Sequence, residues 1–249
     1  MATMLLNVAA YHFAELLDAD TLADTLRAAA EARDVRGTIL VAPEGVNLFL
    51  AGEEAGVESV LELLRADARF AGLEVKRSWS RAQPFGRLKV KRKPEIITFR
   101  RDGTAPLDAR APAVDPPTLA RWIEQGHDDT GRRLVMLDTR NREEFDYGTF
   151  DGAITLPIDN FTDLPAALEP HRESLADATV VSFCTGGIRC EKAALWLQAD
   201  GMHNVLQLDG GILGYFEQVG GFGYAGRCFV FDGRVALDPR LQPLVDDAA

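Results

Sequence analysis

The sequence predicts an α/β protein of two successive domains, an α+β domain followed by a domain built on a parallel sheet. Three observations carry that prediction. Short β-branched and aromatic runs alternate with helix-period segments along the whole chain. The order of those elements changes across residues 101–118, a stretch rich in Asp, Ala and Pro that holds Pro106, Pro112, Pro116 and Pro117 and reads as an extended linker. The 249 residues are 47% hydrophobic and 26% charged, which is material for one large core or two ordinary ones.

Residues 5–13 read as a strand and Thr21 to Arg33 as a helix with Leu22 and Leu26 on one face. Thr38-Ile39-Leu40-Val41 is a second strand, Pro43-Glu44-Gly45 a turn, and Val46 to Ala51 its partner strand. A second helix spans Ala55 to Leu64, where Val57, Val60, Leu61 and Leu64 recur at helical spacing. Extended stretches follow at Leu73–Trp79 and Leu88–Phe99. The order βαββαβ is the split-βαβ, or ferredoxin-like, arrangement.

Beyond the linker, helices at Leu119–Gln125 and Arg142–Phe145 alternate with strands at Leu134–Leu137, Ala153–Leu156, Val180–Phe183 and Val205–Leu208. That alternation implies a parallel sheet covered on both faces, with its site at the carboxyl ends of the strands. The expected division is 1–100, linker 101–118, 119–226, and a tail at 227–249.

At one such strand end stands Cys184-Thr185-Gly186-Gly187-Ile188-Arg189. The run Thr179 to Phe183 is the strand, and Cys190 to Gln198 continues as a helix closed by Gly201. A Gly-Gly turn between strand and helix lets backbone N–H groups converge, and the helix start adds partial positive charge. Such a cradle stabilises a thiolate or a persulfide and lowers the pKa of Cys184. Arg189 is placed to neutralise that thiolate, to grip a phosphate, or to lie on the helix surface. Cys190 is a packed core residue or a resolving thiol for an oxidised Cys184. Asp138 and Arg140, at the end of the Leu134–Leu137 strand, read as an ion pair shaping the pocket floor.

Three cysteines without a CxxC pair argue against a disulfide framework and for a reducing cytosol. The start, Met1 to Phe13, lacks a basic n-region, so no secretory signal is expected, and no apolar run is long enough to span a bilayer. The four histidines, His12, His127, His171 and His203, are not spaced as metal ligands, and no Gly-x-Gly-x-x-Gly fingerprint is present. No metal or recognisable cofactor is therefore expected.

The formal net charge is −11, yet residues 76–101 hold ten Lys or Arg against one acid, Glu95. An acidic protein with one basic segment holds a polyanion locally while its other faces discourage indiscriminate binding. Strand periodicity puts Arg87, Lys89, Lys91 and Lys93 on one face, opposite Leu88 and Val90, with Arg92 in the same cluster. Like charges stacked on one face repel, and a phosphate backbone relieves them with release of counterions. An aggregation-resistant, solvated edge strand explains the same pattern. Trp79 and Phe85 interleave with the cations as base-stacking or core residues.

The second domain resembles a rhodanese domain. Asp138-Thr139-Arg140 with Glu144-Phe145, Gly148-Thr149-Phe150-Asp151-Gly152-Ala153-Ile154, and Cys184 heading its loop carry that likeness. Related phosphatases of the superfamily use Cys-x5-Arg around a tetrahedral phosphate; the tighter Cys-x4-Arg here is persulfide-sized and disfavours a phosphatase. Four further segments narrow the resemblance. They are Phe183 to Ala193, Pro84-Phe85-Gly86-Arg87-Leu88-Lys89-Val90-Lys91, Glu44-Gly45-Val46-Asn47, and Cys228-Phe229-Val230-Phe231-Asp232. Together, over nearly the whole chain, they are similar to the oxygen-dependent tRNA uridine-34 hydroxylases, in which a rhodanese domain follows an acylphosphatase-like domain. The chain departs from that pattern at Leu48-Phe49, where members often have Gly-Thr. Nor does any cysteine follow Cys228, where many members have a cysteine-rich tail.

The resemblance implies hydroxylation of the wobble uridine of tRNA to 5-hydroxyuridine in the cytoplasm. Cys184 is then the essential residue, Thr185 to Arg189 the active-site loop, and the anticodon loop the partner. Molecular oxygen is the implied co-substrate, with an electron donor the sequence does not name. The alternative is a rhodanese-type sulfurtransferase working through a Cys184 persulfide, which leaves the basic strand without a purpose. A non-catalytic RNA-binding protein with a vestigial rhodanese domain fits less well, because the thiol and its cradle are both present.

Overall fold

The computed structural model describes residues 4–246. The chain forms two compact units. Among the described residues, one takes 4–98 together with Phe231–Val235 and 242–246; the other takes Phe99–Val230 and Ala236–Leu241.

In the first unit β1 (Leu5–Phe13), α1 (Ala19–Glu31), β2 (Arg36–Ala42), β3 (Gly45–Gly52), α2 (Glu54–Arg65), β4 (Val75–Ser80) and β5 (Leu88–Arg92) follow in order. The sheet runs β4-β1-β3-β2-β5. Its first four strands are antiparallel, which is the split-βαβ arrangement, and β5 is added parallel to β2 at one edge. Alternate residues of the central strands, Leu6, Val8 and Ala10 on β1 and Val46, Leu48 and Leu50 on β3, share one core with Leu26 and Ala30 of α1 and Val57, Val60, Leu61 and Leu64 of α2. The period of two in the strands and of 3.6 in the helices therefore meets in a single buried layer.

The extended stretch expected to reach Phe99 stops as a strand at Arg92. Pro94, two residues on, has no N–H for a ladder. The chain then ties itself to the β2–β3 turn and β3 through side chains. The Ile96 N–H donates to Glu44 Oε1 at 2.8 Å, and Asn47 Nδ2 donates to the Ile96 carbonyl at 3.2 Å.

The second unit contains β6 (Ala113–Val114), α3 (Pro116–Gln125), β7 (Leu134–Asp138), α4 (Arg142–Phe145), β8 (Gly148–Phe150), β9 (Ile154–Thr155), α5 (Leu164–Leu168), α6 (Arg172–Leu175), β10 (Thr179–Phe183), α7 (Ile188–Ala199), β11 (Val205–Leu208), α8 (Gly211–Gln218), β12 (Tyr224–Gly226), β13 (Cys228–Phe229) and β14 (Ala236–Leu237). Its main sheet, β6-β11-β10-β7-β9, is parallel at every pairing. Small antiparallel pairs, β8 with β12 and β13 with β14, lie apart from it.

Strand β10 is central and all five of its residues are buried, which is why it reads as a continuous run rather than an alternating one. The stretch read as a linker contributes β6, and α3 begins earlier than Leu119. Asp115 caps it by accepting from the Thr118 N–H at 3.0 Å, Pro116 takes the first helical position, and Gly126 ends it at φ 77°. Among the described residues no helix is long and apolar enough to cross a membrane.

Candidate active site

Cys184 follows β10 directly and is 1% exposed. The Gly187 N–H donates to its Sγ at 3.2 Å. Gly187 sits at φ 101°, the left-handed region that turns this amide back toward the sulfur before α7 begins. A second glycine outside the loop closes the arrangement. A Cβ on Gly211 would lie 2.6 Å from the Cys184 carbonyl oxygen and from the Gly187 nitrogen. Behind it, the first amides of α8 hold the loop from below: Ile212 N–H donates to the Cys184 carbonyl at 2.9 Å and Leu213 N–H to that of Thr185 at 3.0 Å. Gly210-Gly211 after β11 repeats the strand–Gly–Gly–helix pattern of the cysteine loop, but nothing in that local repetition says that the two loops meet.

Burial by itself raises a thiol pKa. Here the Cys190 thiol, the Arg189 guanidinium and the backbone amides of Arg189 and Gly187 outweigh burial and hold Cys184 well below its ordinary value. Cys190 moves the other way, pushed well up by burial and by the Cys184 charge beside it. Of the two sulfurs, the surroundings of Cys184 favour the thiolate and those of Cys190 favour the thiol. Cys190 is fully buried on α7, with Thr139 Oγ1 at 3.5 Å.

Arg189 does not lie on the helix surface. It is 6% exposed, and Glu144 of α4 takes it in a bidentate pair, Nη1 to Oε2 at 2.5 Å and Nη2 to Oε1 at 2.6 Å. Burial works against the Glu144 charge, but Arg189 and the Asn141 N–H together keep its carboxyl below the usual range. Thr185 Oγ1 stands 3.3 Å from the same Glu144 and 3.5 Å from the Phe229 carbonyl. Glu144 thus joins the loop's first and last residues after the thiol; the sequence offered it only as part of a motif, because a partner 45 residues away leaves no local pattern. Ile188 is buried at 8%, and Gly186 is the more open member of the loop.

Asp138 and Arg140 are both 0% exposed. Arg140 Nε and Nη2 donate to the two Asp138 oxygens at 2.9 and 2.6 Å. Nη2 also reaches the Gly148 carbonyl at 2.7 Å, and Thr149 Oγ1 donates to Asp138 at 2.8 Å. This pair anchors β8 to the end of β7.

In the first unit Arg87, Lys89, Lys91 and Lys93 are exposed, while Val90 is buried and Leu88 half-buried. Lys89 lies beside Thr38 and Lys91 beside Leu40 of β2. Arg92 points the other way, toward α1, where Nε meets Asp20 and Nη2 meets Asp24, each at 2.9 Å. Trp79 alternates with Arg77 along its own strand and stands apart from the β5 cations. It lies on β4, at the opposite edge of the sheet from β5 and four strand spacings away, roughly 19 Å. The basic segment is continuous in sequence but divided between two edges, because β4 and β5 flank the sheet on either side.

A family model of the UPF0176 acylphosphatase like domain matches residues 5–96, and one of the rhodanese-like domain matches residues 116–218. A protein of Xanthomonas euvesicatoria pv. vesicatoria named tRNA uridine(34) hydroxylase is 66% identical over 243 residues, covering 98% of each chain. The chain belongs to the tRNA uridine(34) hydroxylase family. Family members from Xanthomonas campestris pv. campestris and Xylella fastidiosa are 65% and 61% identical, over 99% and 98% of this chain and 97% and 95% of their own. The acylphosphatase-like and rhodanese-like architecture expected from the sequence is the one found.

Proposed function

We infer that this chain is an oxidoreductase that hydroxylates uridine 34 of tRNA. The product is 5-hydroxyuridine, molecular oxygen is the co-substrate, and Cys184 is the reacting group. The observation that carries the reading is a buried Cys184 sulfur that accepts from the Gly187 N–H, in a chain that matches proteins of that name over nearly its full length.

The Cys184 thiolate attacks C6 of the uracil, forming an S–C6 bond and moving the C5–C6 electron pair toward C5 and O4. The electron-rich C5 takes one oxygen atom from dioxygen. The other oxygen atom leaves as water, so two electrons from a reductant are required. Loss of the C5 proton and of the thiolate from C6 restores the ring. Gly187 N–H and Cys190 stabilise the sulfur before attack and after release, which favours departure of the thiolate over a trapped adduct. Lys89, Lys91, Arg87 and Lys93 take the phosphates of the anticodon arm, in the cytoplasm.

Nucleoside mass spectrometry of bulk tRNA from cells lacking the protein tests the reading. Complementation by wild type restores a 5-hydroxyuridine-derived signal, and complementation by Cys184→Ala does not. Restoration by both demotes Cys184 to a structural role. An unchanged signal in every strain, in cells with no second route to the modification, moves the assignment to sulfur transfer through a Cys184 persulfide.

A further inference from the structure

We propose that Tyr147, backed by Phe229, is a stacking platform at the rim of the Cys184 site for the nucleobase next to the target uridine. The inference rests on the hydroxylase reading and adds to it a residue that positions the RNA. Tyr147 is 39% exposed although it is a large aromatic side chain in the second unit. Its ring lies 5.3 Å from that of Phe229, tilted by 43°.

The pair is tied to the active-site loop from two sides. The Phe229 carbonyl is 3.5 Å from Thr185 Oγ1, and Thr185 is bonded to Cys184. On the other side, Tyr147 follows α4, whose Glu144 holds both Thr185 and Arg189. The Tyr147 backbone is pinned at both ends, its N–H on the Glu144 carbonyl at 3.3 Å and its carbonyl under the Arg227 N–H at 2.8 Å. An exposed ring on so fixed a backbone is presented to solvent rather than left there by a loose loop.

The chemistry calls for such a ring. Cys184 is 1% exposed, so a uracil reaches it only after leaving the anticodon stack. The target base then enters the site and its neighbour loses a stacking partner at the mouth. An aromatic face replaces that partner without regard to base identity. Ionic contacts to phosphates cannot do this, because they fix the backbone and leave the base free.

The test uses the full chain and a tRNA carrying 2-aminopurine beside the target uridine. Wild type and Tyr147→Phe quench its fluorescence on binding; Tyr147→Ala and Tyr147→Leu do not. In turnover, Tyr147→Ala raises KM for tRNA by about five-fold or more and changes kcat less, whereas Tyr147→Phe stays within about two-fold of wild type. The alkylation rate of Cys184 stays at the wild-type value in all three variants, which shows the loop intact. Equal quenching and KM in Tyr147→Ala overturn the proposal, as does Tyr147→Phe behaving like Tyr147→Ala. If the wild type makes no 5-hydroxyuridine, the hydroxylase reading fails, and the fluorescence experiment still decides whether the ring stacks a base.

Discussion

Lys89 and Lys91 stand in solvent on an edge strand of the first unit, while Cys184, Arg189 and Glu144 hold their charges almost wholly buried in the second. The exposed lysines are kept apart only by the strand's spacing, and their field extends outward until salt screens it. Arg189 and Glu144 pair at hydrogen-bond distance, and their charges act over the few ångströms of the loop around the sulfur. The contrast separates two kinds of residue that a charge count treats alike. One kind recognises a polyanion at a distance; the other sets the protonation of a single sulfur.

The largest effect is expected at the sulfur. Cys184→Ser reduces 5-hydroxyuridine formation below detection in a reconstituted reaction, while tRNA affinity by filter binding stays at the wild-type value. Residual product at a tenth of wild type would break the assignment of the thiol as nucleophile. The same variant tests the lowered pKa through stability. In wild type the folded state keeps Cys184 ionised at a pH where the unfolded chain, at the ordinary cysteine value of about 8.5, binds a proton. Stability therefore rises with pH up to that ordinary value, and this contribution is lost as pH falls through the folded pKa. Denaturant titrations across neutral pH show the slope in wild type and its loss in Cys184→Ser.

Glu144→Gln comes next. It leaves the Arg189 guanidinium buried without its counter-charge and costs about 3–5 kcal/mol of unfolding free energy. Removing a negative charge from the sulfur's surroundings also makes the thiolate easier to form, so iodoacetamide reactivity persists to lower pH than in wild type. A loss below about 1 kcal/mol would mean that Glu144 relaxes away from Arg189, and the buried-network account would fail.

Neutralising the edge strand reverses the pattern. Lys89→Ala with Lys91→Ala leaves stability within about 0.5 kcal/mol, because neither side chain packs against the core. It lowers tRNA affinity roughly tenfold at low salt, and the dependence of log Kd on log salt flattens by about 0.7–0.9 for each lysine. An unchanged salt slope would return these lysines to the role of an aggregation guard.

How far each region was legible follows from the same contrast. The β5 pattern is local, so alternation alone placed Leu88 and Val90 inward and Arg87, Lys89, Lys91 and Lys93 outward. The thiol cradle was also local, since strand, glycine pair and helix are contiguous from Thr179 to Gln198. What was not legible depends on contacts across the fold. Glu144 meets Arg189 only once α4 packs beside α7, and Gly211 supports the loop only because β11 neighbours β10. The separation of Trp79 from Lys89 and Lys91 was hidden for the same reason, as strand order is set by pairing and not by proximity in sequence.

Arg92 gives the smallest and sharpest test, because it belongs to the basic run by sequence and to the ion-paired class by structure. Its parity on β5 turns it toward α1, where Asp20 and Asp24 take its guanidinium. A phosphate would have to compete with two carboxylates for this side chain, whereas among the described residues no carboxylate pairs with Lys89 or Lys91 on the other face. Arg92→Ala is therefore expected to weaken tRNA binding less than about threefold and to change the salt slope by less than half of what Lys91→Ala does. Because the substitution also frees two acidic side chains, any loss it causes should grow at low salt, where their repulsion of the polyanion is least screened. A loss equal to that of Lys91→Ala at every salt concentration would show that net charge on the edge, and not the direction each side chain takes, governs how this strand meets RNA.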